Sequence, residues 1–212
     1  MKLLKLGEIH PDNPKDKVGQ ILQGAMQEFL VHGYAGTSMD RVAASGGVSK
    51  ATVYSYFPDK QGLFKALVER LAKERFRSVF GTEDLVGEPK KVLHELAAKV
   101  LNEMLQDEEY MAFMRVLIGE SGRFPEIAQF CVASLVKPAV DTLHHYLASH
   151  QELHISDPEA TARIIVGSLV HFVMTQKMMH GSDILPMESH RITDTLTDLL
   201  LGVGSWELGV GS

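Results

Sequence analysis

Cysteine is almost absent: Cys131 is the only one among 212 residues. A single cysteine excludes an intramolecular disulfide framework and is typical of a protein that works in a reducing compartment. A small buried apolar residue is the interpretation that we prefer for Cys131, and a reactive or sensing thiol is the alternative. The sequence also lacks the apolar run of a signal peptide and any run of about 18 uncharged apolar residues, so we expect no membrane span.

Patterns for enzyme chemistry are missing as well. The sequence shows no nucleotide-binding glycine loop, no pair of carboxylates in an apolar setting and no nucleophile beside a base. Ten histidines are present, but His150 and His154 have metal-ligand spacing only if one helix carries both, and the pattern predicts a helix end there. We therefore expect no catalytic residues, no cofactor and no metal, and a helical enzyme remains only as a competing hypothesis.

Positive charge is scarce in total but unevenly placed. The net charge is −6, which alone argues against a nucleic-acid-binding protein. Residues 1–77, however, contain 12 lysines and arginines against 8 acidic residues, whereas residues 78–212 contain 9 against 19. This asymmetry indicates a small DNA-binding head whose acidic body points away from the duplex.

The most informative stretch that is present runs from Thr37 to Phe57. Thr37 or Ser38 can cap a first short helix, a glycine pair at 46–47 ends it, and Ser49 can cap a second helix. We expect the apolar residues of the second segment to face inward, and these are Val48, Val53 and Phe57. This spacing predicts two short helices joined by a glycine turn.

The outward side of the second helix is small, polar, aromatic and singly basic. Such a face suits a DNA groove, because hydroxyls and backbone amides bind phosphates while small side chains let the helix approach base edges. Lys60 opposes the dipole at the start of the next helix, so we assign it to a DNA phosphate, with a solvated lysine as the alternative. The residues assigned to DNA contact are Thr37, Ser38, Ser49, Lys50, Ala51, Thr52, Tyr54, Ser55, Tyr56 and Lys60.

Apolar residues recur at helical spacing along most of the chain, and strand-like alternation is absent. The pattern predicts an all-α protein of nine helices: three in the head, one connecting helix and five in the body. Pro138 should kink or split one of the body helices. Outside the two short helices of 37–57, the predicted helices span 17–32, 59–80, 90–105, 107–120, 124–150, 157–179 and 189–203.

The head also resembles the DNA-binding domain of TetR/AcrR-family transcriptional regulators over residues 17–65. The resemblance depends on Gly33-Tyr34, Thr37-Ser38, Val42-Ala43, the run 47–54, the run 56–60 and Leu63-Phe64. Gly46 stands where the family usually has alanine, and Ala51 where it often has glycine. The residue pattern predicts a flexible arm at 1–16 and a loose tail at 204–212. The resemblance implies a helix-turn-helix domain at 17–64 and a ligand-binding and dimerisation domain at 65–203.

The body helices 157–179 and 189–203 are too apolar for the surface of a monomer. We therefore predict that two copies pair through them as a homodimer, because helix-turn-helix proteins read two-fold operators. A simple buried core is the alternative.

A ligand cavity in the body is implied by the resemblance. Methionine and aromatic residues line adaptable pockets, although they also fill ordinary cores. An inducer bound there would be largely apolar, with His171 as a candidate polar anchor. The predicted wall residues are Met104, Phe113, Met114, Leu117, Phe130, His171, Phe172 and Met174.

The function that follows is a cytoplasmic, ligand-responsive homodimeric repressor that binds a palindromic operator and is released by a small molecule. Two alternatives remain besides the enzyme. One is an activator on the same fold, and the other is a helical small-molecule-binding or interaction protein with no operator. The basic and tyrosine side chains on the outward face favour DNA.

Overall fold

The computed structural model describes residues 14–81 and 85–200. The predicted tail at 204–212 lies outside the described residues, as does the predicted arm at 1–16, except for residues 14–16 in the first turn of α1. Within the described ranges the chain is helical and has no strand, which confirms the predicted all-α class. None of these helices combines the length and apolar character that crossing a membrane requires.

Ten α-helical segments follow one another along the chain. They are α1 (Pro14–Gly36), α2 (Met39–Ser45), α3 (Lys50–Tyr56), α4 (Lys60–Phe80), α5 (Pro89–Gln106), α6 (Glu108–Glu120), α7 (Pro125–Cys131), α8 (Lys137–Ser149), α9 (Pro158–Val173) and α10 (Ser189–Leu200). A π-helical turn at Val132–Val136 makes α7 and α8 one continuous helical run, and another at Met174–Met178 extends α9. Counting α7 and α8 together gives the nine predicted helices in the described part of the chain.

Helix boundaries follow local signals in the sequence. Pro138 lies in the first turn of α8, directly after the π-helical turn, so it splits the predicted helix without ending the helical run. Asp157 caps α9 by accepting a hydrogen bond of 2.9 Å from the Ala160 N–H. Asp59 does the same before α4, at 2.7 Å from the Gly62 N–H.

Contacts divide the chain into two compact units. The first unit comprises the chain up to Lys73 together with Ala112–Leu135, and the second comprises Glu74–Met111 together with the chain from Val136. The functional boundary predicted near residue 64 stays a prediction.

The first unit has an aromatic core. Phe64 of α4 lies edge-on to Phe29 of α1, with ring centroids 5.1 Å apart, and stacks on Phe113 of α6 at 5.3 Å. Tyr34 contacts both Phe64, at 5.2 Å, and Phe124, at 4.7 Å. Residues of α6 and α7 therefore belong to the same core as the head helices.

In the second unit, α8 packs along α9, and α5 packs against α10 and α9. The buried residues include Leu93, Leu96, Leu101, Leu143, Leu147, Ile165, Leu169, Phe172 and Val173. Arg75 ties the end of α4 into this unit through ion pairs to Glu103 at 3.3 Å and to Asp107 at 2.7 Å. Its guanidinium also lies 4.3 Å from the ring centroid of Tyr110.

Candidate nucleic-acid interface

The α2–turn–α3 segment is built by two serine caps and a glycine pair. Ser38 Oγ accepts a hydrogen bond of 3.3 Å from the Arg41 N–H, and Ser49 Oγ accepts one of 3.0 Å from the Thr52 N–H. Gly47 takes φ +62°, a conformation that costs glycine little. A Cβ on Gly46 would lie 2.9 Å from the Gln20 carbonyl oxygen, so glycine at this position lets α1 and α2 approach closely.

A small core beneath the segment fixes which side faces out. Val53 and Phe57 are buried and Val48 is partly buried, as predicted, and Met39 and Val42 of α2 are buried with them. The opposite side of α3 is therefore open to solvent. The predicted DNA-contact residues that lie exposed are Ser38, Ser49, Lys50, Ala51, Tyr54, Ser55 and Tyr56, while Thr52 is half-buried.

Hydroxyl groups on this side are organised by local hydrogen bonds. Ser49 Oγ and Thr52 Oγ1 lie 2.7 Å apart, and Ser55 Oγ donates to the Thr52 carbonyl at 2.7 Å. Tyr54 is 45% exposed and Tyr56 is 38% exposed, so both rings are available to a partner. A surface of hydroxyls and tyrosines with little charge can bind phosphates by hydrogen bonding rather than by net charge.

Lys50 forms an ion pair with an acidic residue on this surface. Its ammonium lies 2.7 Å from Asp40 Oδ1 and 2.9 Å from Asp40 Oδ2, and the hydrogen bond to Asp40 raises the pKa of Lys50. Asp40 is not among the residues that the sequence assigned to DNA contact. Its pairing with Lys50 depends on the angle between two helices, which periodicity does not reveal.

Thr37 is placed differently from the other predicted contacts. Its side chain is only 4% exposed, and its Oγ1 donates a hydrogen bond of 2.7 Å to the Gly33 carbonyl. Gly33 has φ +66°, and this residue breaks the helical geometry near the end of α1. The hydroxyl of Thr37 therefore closes the α1–α2 junction and is not presented to solvent.

Lys60 is also engaged inside the fold. Its ammonium donates to three backbone carbonyls, those of Tyr34 at 2.6 Å, Ala35 at 3.1 Å and Thr37 at 3.0 Å. It also lies 4.7 Å from the centroid of the Tyr34 ring. Burial lowers the pKa of Lys60, and the nearby carboxylate of Glu120 opposes that shift. All three N–H groups of this lysine therefore cap the end of α1. The sequence had instead predicted that Lys60 contacts a DNA phosphate.

Glu120, at the end of α6, completes this junction. Its Oε1 accepts a hydrogen bond of 3.2 Å from the Ala35 N–H, and the carboxylate also pairs with Arg123 at 4.0 Å. The longer-range bond joins residues 85 positions apart, and no local pattern points to it.

The predicted ligand-wall residues fall in both units. In the first unit Phe113 and Leu117 are buried in the aromatic core, and Met114 and Phe130 pack against it. In the second unit Phe172 is buried, Met104 and Met174 are partly buried, and His171 is exposed. Their role in ligand binding stays a prediction.

Tyr146 of α8 is a polar group that the sequence patterns did not single out. Its side chain is 5% exposed, and its hydroxyl has no hydrogen-bond partner in the described residues. Burial, with a smaller contribution from Glu152, raises the pKa of Tyr146. A buried hydroxyl without a partner is costly, so Tyr146 is a candidate polar contact for a bound molecule.

The histidine pair considered for metal binding does not share a helix. A single 3₁₀ turn at Gln151–Leu153 separates His150 from His154, and His154 has φ +50°. Within the described ranges no three histidine, cysteine, aspartate or glutamate side chains come together as metal ligands.

Comparison with protein families identifies both parts of the chain. Residues 21–67 match the model of bacterial regulatory proteins of the TetR family. Residues 91–202 match the C-terminal domain of AefR-like transcriptional repressors. The chain belongs to the TetR family. It is therefore a DNA-binding transcriptional regulator, and the predicted nine-helix TetR-like fold is confirmed.

Individual related proteins and a solved structure support this family assignment. The TetR-family chain is 26% identical to YhgD of Bacillus subtilis, an uncharacterized HTH-type transcriptional regulator, over 78% of this chain and 86% of that protein. It is 31% identical to the repressor AcnR of Corynebacterium glutamicum over 50% and 49% of the two chains. Among solved structures, the flavonoid-responsive regulator FrrA is 25% identical with a TM-score of 0.73, covering 89% of this chain and 97% of its own.

Proposed function

We propose that the protein is a homodimeric repressor that binds a palindromic operator through α3 and is released by a small molecule. The observation that carries this proposal is the exposed side of α3, where hydroxyls, two tyrosines and Lys50 lie over the buried Val53. Each copy would place this side in one major groove, so that two copies read half-sites separated by one helical turn.

Dimerisation is supported by large apolar side chains that are exposed on α9 and at the end of α10. Ile164 is 61% exposed, Val170 is 38% exposed and Leu199 is 72% exposed. Ile164, Gly167 and Val170 follow one another at helical spacing, so they share one side of α9. A second copy of the same surface would cover these side chains, in agreement with the helices predicted to pair, 157–179 and 189–203.

Release by a ligand is proposed to act through the second unit. A molecule that favours one conformation of this unit shifts the population of the whole chain, since α4 and α6 each contribute residues to both units. We infer a largely apolar ligand with a hydrogen-bonding group that reaches Tyr146. The similarity to a flavonoid-responsive regulator makes flavonoids the first compounds to screen.

Repression is the direction that we propose because the body matches a repressor domain and AcnR is a repressor. The activator FasR of Mycolicibacterium smegmatis is 38% identical over 27% of the chain. Activation of transcription is therefore the second candidate. A DNA-binding regulator needs access to the chromosome, so we place it in the cytoplasm. We propose no catalytic activity.

The test is selection of bound duplexes from a random DNA pool with the full chain. We expect a palindromic sequence and two protein copies per duplex by sedimentation. Compounds are then screened for release of that duplex. Enrichment of no sequence, or binding of one copy to a site without two-fold symmetry, would contradict the proposal.

A further inference from the structure

Asp40 and Lys50 place a carboxylate and an ammonium side by side on the surface assigned to DNA. The two groups come from different helices, α2 and α3, and both oxygens of Asp40 lie within 2.9 Å of the lysine nitrogen. Their side chains are 62% and 60% exposed, so a partner can approach the pair directly. The ring of Tyr54, an exposed residue of α3, lies 5.9 Å from the same ammonium.

A role in stability accounts poorly for this pair. Exposed ion pairs contribute about 0–1 kcal/mol, and salt weakens them further. A carboxylate on a phosphate-binding surface also repels the backbone of DNA, so Asp40 opposes non-specific binding. Its position is explained if the carboxylate meets a hydrogen-bond donor on the DNA.

The major-groove edge of a G·C base pair offers the complementary arrangement. Guanine presents the acceptors N7 and O6, and cytosine presents the N4 amino donor next to O6. The ammonium of Lys50 can donate to O6 and N7 while the carboxylate of Asp40 accepts from N4. The two charges stay paired with each other, so neither loses its counter-charge when water leaves the groove.

Other base pairs match the pair less well. A T·A pair also has an acceptor beside an amino donor, but the thymine methyl occupies the side where guanine offers N7. Lys50 would then lose its second acceptor. We propose that Asp40 and Lys50 together read one G·C base pair in each operator half-site, an inference that rests on the proposed operator binding.

The experiment compares sequences selected from a random DNA pool by the full-length wild type and by single variants. Asp40→Ala and Lys50→Ala should each relax the preference at the same single position of the half-site, by roughly 5- to 100-fold, and leave the other positions unchanged. The matched control is Glu95→Ala on α5, which removes an exposed carboxylate that pairs with Lys91 at 3.9 Å. It should keep the wild-type preference.

A charge exchange separates base reading from simple pairing. The double variant Asp40→Lys with Lys50→Asp restores an ion pair but reverses donor and acceptor, so the selected base pair should change from G·C to C·G. Thermal melting checks that each variant is folded. An ordinary surface ion pair would leave the preference unchanged in every variant, and that result would overturn the inference, as would relaxation at two different positions or a wild-type preference for T·A there. Failure of the wild type to enrich any sequence would instead remove the operator proposal.

Discussion

The exposed sides of α3 and α9 each lie over a buried core but present opposite chemistry. On α3 the exposed groups are hydroxyls, tyrosine rings and a lysine that is already paired with Asp40. On α9 they include Ile164 and Val170, apolar side chains left in solvent. Polar groups with satisfied charges favour a selective, exchangeable partner such as DNA, whereas exposed apolar groups favour a lasting partner such as a second copy. The following predictions are ordered by the size of the expected effect.

The largest effect is expected from charging the apolar surface. The double variant Ile164→Glu with Leu199→Glu would place two carboxylates in the interface, so the chain should become monomeric at micromolar concentration. Operator affinity should fall at least about 100-fold, because one head alone reads only a half-site. Sedimentation and operator titration measure the two effects.

Val31→Glu is the matched control, because Val31 of α1 is 73% exposed and belongs to the first unit, whereas the proposed interface is in the second unit. It should remain dimeric. If the double variant stayed dimeric, the exposed apolar side chains of α9 and α10 would not form the dimer interface.

Lys60→Met tests whether this lysine supports the head or contacts DNA. Its loss leaves three carbonyls without their donor, so the free energy of unfolding should fall by about 1–3 kcal/mol. Chemical denaturation measures that change, and the dependence of operator affinity on salt should keep its slope.

Lys73→Met, on an exposed position of the same helix, is the control and should leave stability nearly unchanged. A slope flattened by about one unit with normal stability would instead support the phosphate contact predicted from the sequence.

Gly46→Ala tests the close approach of α1 to the reading segment. The added methyl group would lie 2.9 Å from the Gln20 carbonyl, so α1 must shift and stability should fall by about 1–3 kcal/mol. Gly119→Ala is the control, because a Cβ there meets no atom within 4 Å other than those of its own stretch of helix, and the variant should gain up to about 1 kcal/mol. Equal melting temperatures for the two variants would contradict the steric argument.

The smallest effect concerns the cap of α3. Ser49→Ala removes the acceptor of the Thr52 N–H and should cost about 1 kcal/mol of stability. Ser55→Ala removes a hydroxyl whose one bond within the described part of the chain goes to the carbonyl of Thr52, so it should be neutral. Thermal melting compares the stability of the two variants. An equal loss of stability in both would show that the Ser49 cap does not stabilise α3 specifically.

Much of the fold was predictable because its signals are local. Ser38 and Ser49 cap α2 and α3 where the sequence predicts caps, and Pro138 divides the helix predicted at 124–150. Helical periodicity also indicated the buried face of α3.

The parts of the site that were missed depend on distant residues. Glu120 bonds to Ala35 across 85 positions, and Lys60 reaches back more than 20 residues to three carbonyls. A lysine at a helix start points equally well to a phosphate or to backbone carbonyls when only the sequence is known. Likewise, the family resemblance and the aromatic residue type made Phe113 a predicted wall residue, but neither showed that its ring stacks on Phe64.

The single cysteine has a practical consequence. Cys131 is 4% exposed among the core residues of the first unit, and burial raises its pKa to about 11. Because thiol reagents attack the thiolate, labelling should require local opening of this core. The wild-type chain therefore carries its own kinetic reporter: the rate of thiol modification, measured with and without operator DNA or candidate ligands, follows how often this unit opens, without an introduced probe.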